Sequence, residues 1–223
     1  MKVCVENICG IINRNNRYAS SEIKEYVHRV VENMNEDELS AMEAALPVYA
    51  RKIQEKISDL EDTYRERQFY AWLDSGRIVC MDSYALPEVI TAVNTLNEVS
   101  YSLYDAEKDD MNPSERKLLD VIAALPNIEW WHRIIERKGF RINGFINHYP
   151  DFLVHTKSGR ILLIESKGDD RDNSNSRKKL KLGRRWQSEA GSIYRYFMVF
   201  DNQDFHEDGA YTIDEFAEII KNL

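Results

Sequence analysis

The sequence predicts an α/β protein with a helical N-terminal region ahead of a mixed sheet. Three observations lead there. Apolar residues recur at helical spacing through residues 1–110. Beyond that point, runs of alternating or continuous apolar residues alternate with amphipathic ones. Third, the order of those later runs is αβββαβα, which lets helices cover a short sheet on both sides. The predicted division is therefore a helical module over 1–110 and an α/β domain over 111–223.

In the first region, Ser20 or Ser21 can cap a helix whose stripe is Ile23, Tyr26, Val27, Val30 and Val31. Asn35 followed by Glu38 reads as an approximate capping box for the next helix. Pro47 kinks or restarts the chain. Val48, Tyr49, Ile53, Ile57, Leu60 and Tyr64 then keep one face of a long helix apolar. "LDSGRI" is a Gly-centred stop, and Pro87 restarts a further helical stretch. The charges of this half read as a solvated face.

In the second region, "NPSERKLLDVIAAL" opens with Asn112 as cap and Pro113 at the first helical position. "IEWWHRII" reads as a strand, being rich in aromatic and β-branched residues. "NHYPDFLVHTKSGRILLIESKG", residues 147–168, reads as a hairpin turning at "TKSG". "SRKKLKLGRRWQSEA" reads as a helix weakened by Gly183, "IYRYFMVF" as a strand, and "TIDEFAEIIKNL" as a closing helix capped by Thr212.

Bulk properties exclude some functions. The net charge is −8, so any nucleic-acid contact has to come from a local basic patch. Three cysteines, Cys4, Cys9 and Cys80, make no disulfide framework. No long apolar run appears, so the expectation is a cytoplasmic protein without a membrane span.

The hairpin carries the chemistry. Glu165 and Lys167 are two apart on one strand and project from the same side. With the turn centred on Lys157 and Ser158, Asp151 falls close to opposite Glu165. Two bare carboxylates there repel, and a divalent cation removes the conflict. Hard oxygen ligands in a partly open site suit Mg²⁺. Lys167 then stands where it can orient or deprotonate a metal-bound water, or steady an anionic transition state. The competing reading is a turn residue, Asp151, beside a surface ion pair of Glu165 and Lys167, worth little to stability.

Pro150-Asp151 followed by Glu165-Ser166-Lys167, in this element order, resembles the PD-(D/E)xK nuclease superfamily. With the upstream block "SLYDAEKDDMNPSERKLLDVIAALPNIEWWHRI" and the downstream block "KLKLGRRW", the chain is similar to the nuclease end of type III restriction enzyme helicase subunits and related DEAD/DEAH helicase–nucleases. The resemblance implies a restriction-endonuclease-like αβββαβ core and Mg²⁺-dependent hydrolysis of DNA, with Mn²⁺ as a substitute. It implies Asp151, Glu165 and the Ser166 carbonyl as metal ligands, Lys167 at the water, and Glu115 of the first core helix as an added acidic residue. The region 1–110 is then the module between motor and nuclease.

The resemblance also implies partners: DNA, a helicase motor in cis or trans, and a methyltransferase or other restriction subunit. The sequence has no G-x-x-x-x-G-K-[ST] loop and no DEAD/DEAH box, and "MKVCVENICG" carries no domain-start signature, so the expectation is the C-terminal piece of a longer helicase–nuclease or a motor-free relative. Arg177, Lys178, Lys179, Lys181, Arg184 and Arg185 fall within nine residues. Of these, Arg177, Lys178, Lys181, Arg184 and Arg185 are the expected phosphate contacts. The alternative function is a catalytically inactive nucleic-acid-binding or docking module coupling a motor to partner subunits.

Overall fold

The computed structural model describes residues 2–91, 94–97, 99–168, 173–202 and 205–223. The chain forms two compact units, one up to Ala71 and one from Trp72 to Leu223.

The first unit is helical. α1 (Lys2–Ile12) and α2 (Ser20–Glu32) pack on each other, followed by α3 (Glu36–Ala44) and α4 (Leu46–Asp74). Val5, Ile8 and Ile12 of α1 meet Ile23, Val27 and Val31 of α2, and Met42, Ala50, Ile53 and Ile57 complete the core. The spacing of three and four residues explains why one face of each helix is buried. Asn35 and Glu38 form a full capping box on α3, worth about 1 kcal/mol for the cap. Two expectations change. α2 is preceded by Ala19 without a side-chain cap, rather than capped by Ser20 or Ser21. The apolar stripe of α4 is covered only in part, because Val48, Leu60 and Tyr64 are exposed. α1 itself has no counterpart in the sequence reading.

The boundary between the units lies some forty residues before the predicted one. α4 ends in a Gly-centred stop, with Gly76 at φ +69° and Arg77 N–H on the Trp72 carbonyl. The described residues between Pro87 and β2 are not helical. Instead β1 (Thr95–Asn97) pairs antiparallel with β2 (Ala106–Lys108), and both belong to the second unit. These strands are three residues long, too short for a period-two pattern to stand out.

The second unit is α/β. α5 (Pro113–Ala124) leads into β3 (Ile128–Arg133), the short pair β4 (Ile142–Asn143) and β5 (Asn147–His148), then β6 (Phe152–Thr156), β7 (Ile161–Lys167), α6 (Asn173–Ala190), β8 (Tyr194–Phe200), β9 (Ala210–Thr212) and α7 (Ile213–Lys221). The main sheet has the order β3-β6-β7-β8-β9, antiparallel from β3 to β7 and parallel from β7 to β9. α5 and α7 bury Leu118, Leu119, Ile122, Phe216 and Ile220 with Trp131, Phe152, Val154, Leu162 and Ile164 in one core. α6 packs on β8. Capping boxes at Asn112/Glu115 and Thr212/Glu215 start α5 and α7 where the sequence predicts. Among the described residues no helix is long and apolar enough to cross a membrane.

β2 is fastened to β3 by a buried polar clamp. Glu107, fully buried, meets His132 Nδ1 at 2.9 and 3.1 Å and accepts the Arg133 N–H at 3.2 Å. This clamp fixes the end of β3, where Arg133 turns into the site.

Candidate active site

The β6–β7 hairpin has the predicted turn, with Gly159 at φ +82°, and Phe152 pairs with Ile164. One position further, the Asp151 N–H donates to the Ile164 carbonyl at 2.8 Å. Asp151 sits at the bend just before β6, so the ladder ends there while β7 continues along β8 to Lys167. Among the described residues, the edge of β7 beyond Ile164 therefore has no strand partner on the β6 side. The Asp151 side chain covers it, its Oδ2 accepting the Ser166 N–H at 2.7 Å. The N–H and C=O of one strand residue point to the same side, so the Ser166 carbonyl shares this edge.

Glu165 is buried at 2% exposure. Its Oε1 lies 2.6 Å from Lys167 Nζ and 2.6 Å from Lys179 Nζ. Its Oε2 is buried without a hydrogen-bond partner and lies 3.9 Å from His148 Nε2. His148, also buried, bonds the Tyr196 hydroxyl at 2.8 Å through the same nitrogen. Burial, and then the ammonium groups of Lys179 and Lys167, hold the His148 pKa well below its ordinary value, which favours the neutral ring. At Lys179 burial opposes the charge, but Glu165, the contact with Lys167 and the charge of Asp151 together outweigh it and the pKa is raised.

Arg133 joins the remaining acids. Its guanidinium donates to Asp151 Oδ1 at 2.9 Å, to the Asp151 carbonyl at 3.0 Å and to Glu115 Oε2 at 3.1 Å, with Asp110 Oδ1 at 3.4 Å. Glu115 stands in the first turn of α5, its carboxylate also accepting the Asn112 N–H. Burial and then the charge of Asp151 push the Glu115 pKa up to about 7. Burial and then Glu165 push Asp151 up to about 6, against the pull of Arg133. These residues line an open pocket of about 320 Å³ that also includes Glu136, Asn147 and Tyr149.

The structure thus brings Asp151, Glu165, Lys167 and Ser166 together as the sequence predicts, and links Glu115 to them through Arg133. Arg133 and Lys179 were not among the predicted catalytic residues. Lys179 reads as one of the basic run 177–185, although it lies one helical turn from the buried Ser176 and Leu182, a spacing that points it toward the sheet. Among the five predicted phosphate contacts, Arg177, Arg184 and Arg185 have acidic partners on the described residues. Arg177 pairs with Glu207 at 2.7 Å and lies over the Phe205 ring, Arg184 pairs with Asp208, and Arg185 pairs with Glu189 at 2.9 Å. Lys181 is exposed and Lys178 half-buried on the same helix. Trp186 packs edge-on to Phe140 and Tyr194. Asp169, Asp170 and Asp172, which in sequence read either as solvated loop residues or as a peripheral cation site, lie outside the described residues.

Among the described residues no three Asp, Glu, His or Cys side chains converge as a ready metal cage. The donor set nevertheless fits a hard divalent cation. Glu165 Oε2 is a buried oxygen without a partner, Asp151 stands beside it with a raised pKa, and a carbonyl edge adjoins both. Mg²⁺ is commonly held by one or two carboxylates, with water and substrate phosphate completing the shell. No protein-family model, curated protein or solved structure matches the chain.

Proposed function

We propose that the second unit is a PD-(D/E)xK-type nuclease domain with a restriction-endonuclease-like core, hydrolysing DNA phosphodiesters with Mg²⁺. The observation that carries this reading is the meeting of Asp151 and Glu165 where the β6–β7 ladder ends, with Lys167 at 2.6 Å from Glu165. Asp151, Glu165 through Oε2, and the Ser166 carbonyl would hold the ion. When bound, the cation supplies a Lewis acid for the phosphate and a water of lowered pKa. Lys167 orients the attacking water and offsets charge on the anionic transition state. Lys179 shares Glu165 with it, which fixes the carboxylate against rotation. Glu115, with a pKa near neutrality, can exchange a proton at the pocket rim.

Arg177, Lys178, Lys181, Arg184 and Arg185 on α6 would meet the DNA backbone. The parent system in this proposal is a restriction or phage-defence helicase–nuclease, with a motor in cis or trans and a methyltransferase as a further partner.

A second reading has its own support. Arg133, Lys167 and Lys179 already neutralise the carboxylates, as in a catalytically inactive nucleic-acid-binding or docking module. Plasmid nicking in Mg²⁺ or Mn²⁺, with Asp151→Asn as the control, separates the two. Cation-dependent nicking lost in the variant supports the nuclease, and nicking by neither protein supports the docking module.

A further inference from the structure

Arg133 has a position that neither the hairpin motif nor the basic helix explains. It closes β3, is 8% exposed, and stacks over the Phe152 ring at 5.4 Å. The Glu107–His132 clamp holds its backbone, the Arg133 N–H reaching Glu107 Oε2 at 3.2 Å. Its fork then contacts Asp151, Glu115 and Asp110 together. One cation of fixed geometry therefore sits among three carboxylates. It occupies Asp151 Oδ1, one of the oxygens that a divalent ion at this site would need. On the opposite side, Lys167 and Lys179 both bind Glu165 Oε1 and leave Oε2 without a hydrogen bond. The two carboxylates differ in this respect. Glu165 keeps an open oxygen, whereas both oxygens of Asp151 have partners, Arg133 and the Ser166 N–H.

We propose that Arg133 is the resident counter-cation of the carboxylate cluster: it holds Asp151 and Glu115 together while the divalent ion is absent and competes with that ion for Asp151. The inference rests on Asp151 and Glu165 being the metal-binding pair. Electrostatics gives the direction. A guanidinium in contact with a ligand carboxylate lowers the negative potential that draws a divalent ion, and in a partly buried site this repulsion is screened less than in water. Arg133 thereby sets ion affinity, keeping the site weak in the free protein. Substrate phosphates recruit the ion more strongly, because they add negative charge without adding a competitor.

The test is Mn²⁺ binding at pH 7.5, measured by isothermal titration on the full chain, with folding checked by circular dichroism. Arg133→Met keeps the stem on Phe152 and removes the charge. It tightens Mn²⁺ binding by on the order of tenfold, whereas Arg133→Lys, which keeps the charge, does not. Where Arg133→Met fails to fold, Arg133→Met with Glu115→Gln is compared with Glu115→Gln alone, since the second change removes the carboxylate left unpaired. The same tightening is expected. Measurable binding by the wild type with equal or weaker binding by Arg133→Met overturns the proposal and leaves the metal reading intact. If neither the wild type nor any Arg133→Met form binds Mn²⁺, or if Asp151→Asn binds as well as the wild type, the metal reading fails and the proposal with it.

Discussion

Gly183 lies against the face of the Tyr196 ring so closely that a Cβ on the glycine would stand 2.5 Å from three ring carbons. The contact brings α6 down onto β8, carries Lys179 to Glu165, and supports the Tyr196 hydroxyl that bonds His148. A glycine inside a helix costs up to about 1 kcal/mol relative to alanine, and here the close approach outweighs that cost.

Gly183→Ala therefore destabilises the protein despite its better helix propensity. Overpacking of this kind costs roughly 1–3 kcal/mol, against the gain of about 1 kcal/mol in propensity. Urea unfolding is the measurement. A variant as stable as the wild type, or more so, contradicts the contact.

The contribution of Asp151 and Glu115 to stability should fall as pH rises from about 4 to about 7, against the opposite contribution of buried His148. Asp151 and Glu115 have pKa values raised to about 6 and about 7 in the fold, above those of an unfolded chain. At these two groups the native state therefore binds more protons in that window. Its stabilisation is fully present below the unfolded values and is lost as pH rises through the folded ones. Glu115→Gln flattens the slope between pH 5 and 7, and saturating Mn²⁺ does the same by compensating the charge. Thermal melts across that range provide the check, and a wild type that gains stability over this interval with a slope unchanged in Glu115→Gln contradicts the assignment.

The parts of the site that sequence reveals are those set by local rules. The turn at residues 156–159 places Asp151 close to opposite Glu165, which the spacing reveals. The register itself, Phe152 with Ile164, is shifted by one residue from a turn centred on Lys157 and Ser158, with Gly159 at φ +82° as the extra residue. Caps at Asn112 and Thr212 are equally local. Arg133 and Lys179 differ because their partners arrive only through tertiary docking. Arg133 lies in a run that reads simply as a strand, and nothing within it announces three carboxylates. Lys179 is hidden in a run of like charges, of which Arg177 and Lys181 are exposed. Gly183 reads in sequence only as a weakness of its helix, because the ring it accommodates lies on another element.

The basic helix offers a test through its acidic partners. Glu207 and Asp208 pair with Arg177 and Arg184. Glu207→Gln with Asp208→Asn should strengthen DNA binding for all sequences and steepen its salt dependence. Neutralising Arg177, Lys181 and Arg184 should do the reverse, by up to roughly 0.9 log units of slope per phosphate contact. Filter binding across a salt series reads both, and an unchanged slope in the two sets means that the helix does not meet DNA.

The central claim is that Asp151 and Glu165 form a hydrolytic metal centre, and plasmid nicking tests it most directly. Supercoiled DNA is incubated with the wild type, Asp151→Asn and Glu165→Gln in Mn²⁺, in Mg²⁺ and in chelator, with and without ATP. Slow nicking of little sequence preference is expected of the wild type, abolished by chelator and by either substitution. ATP should have no effect, since the chain has no phosphate loop. A folded wild type that leaves the plasmid intact in saturating Mn²⁺, or an Asp151→Asn variant that nicks it at the wild-type rate, would contradict the claim.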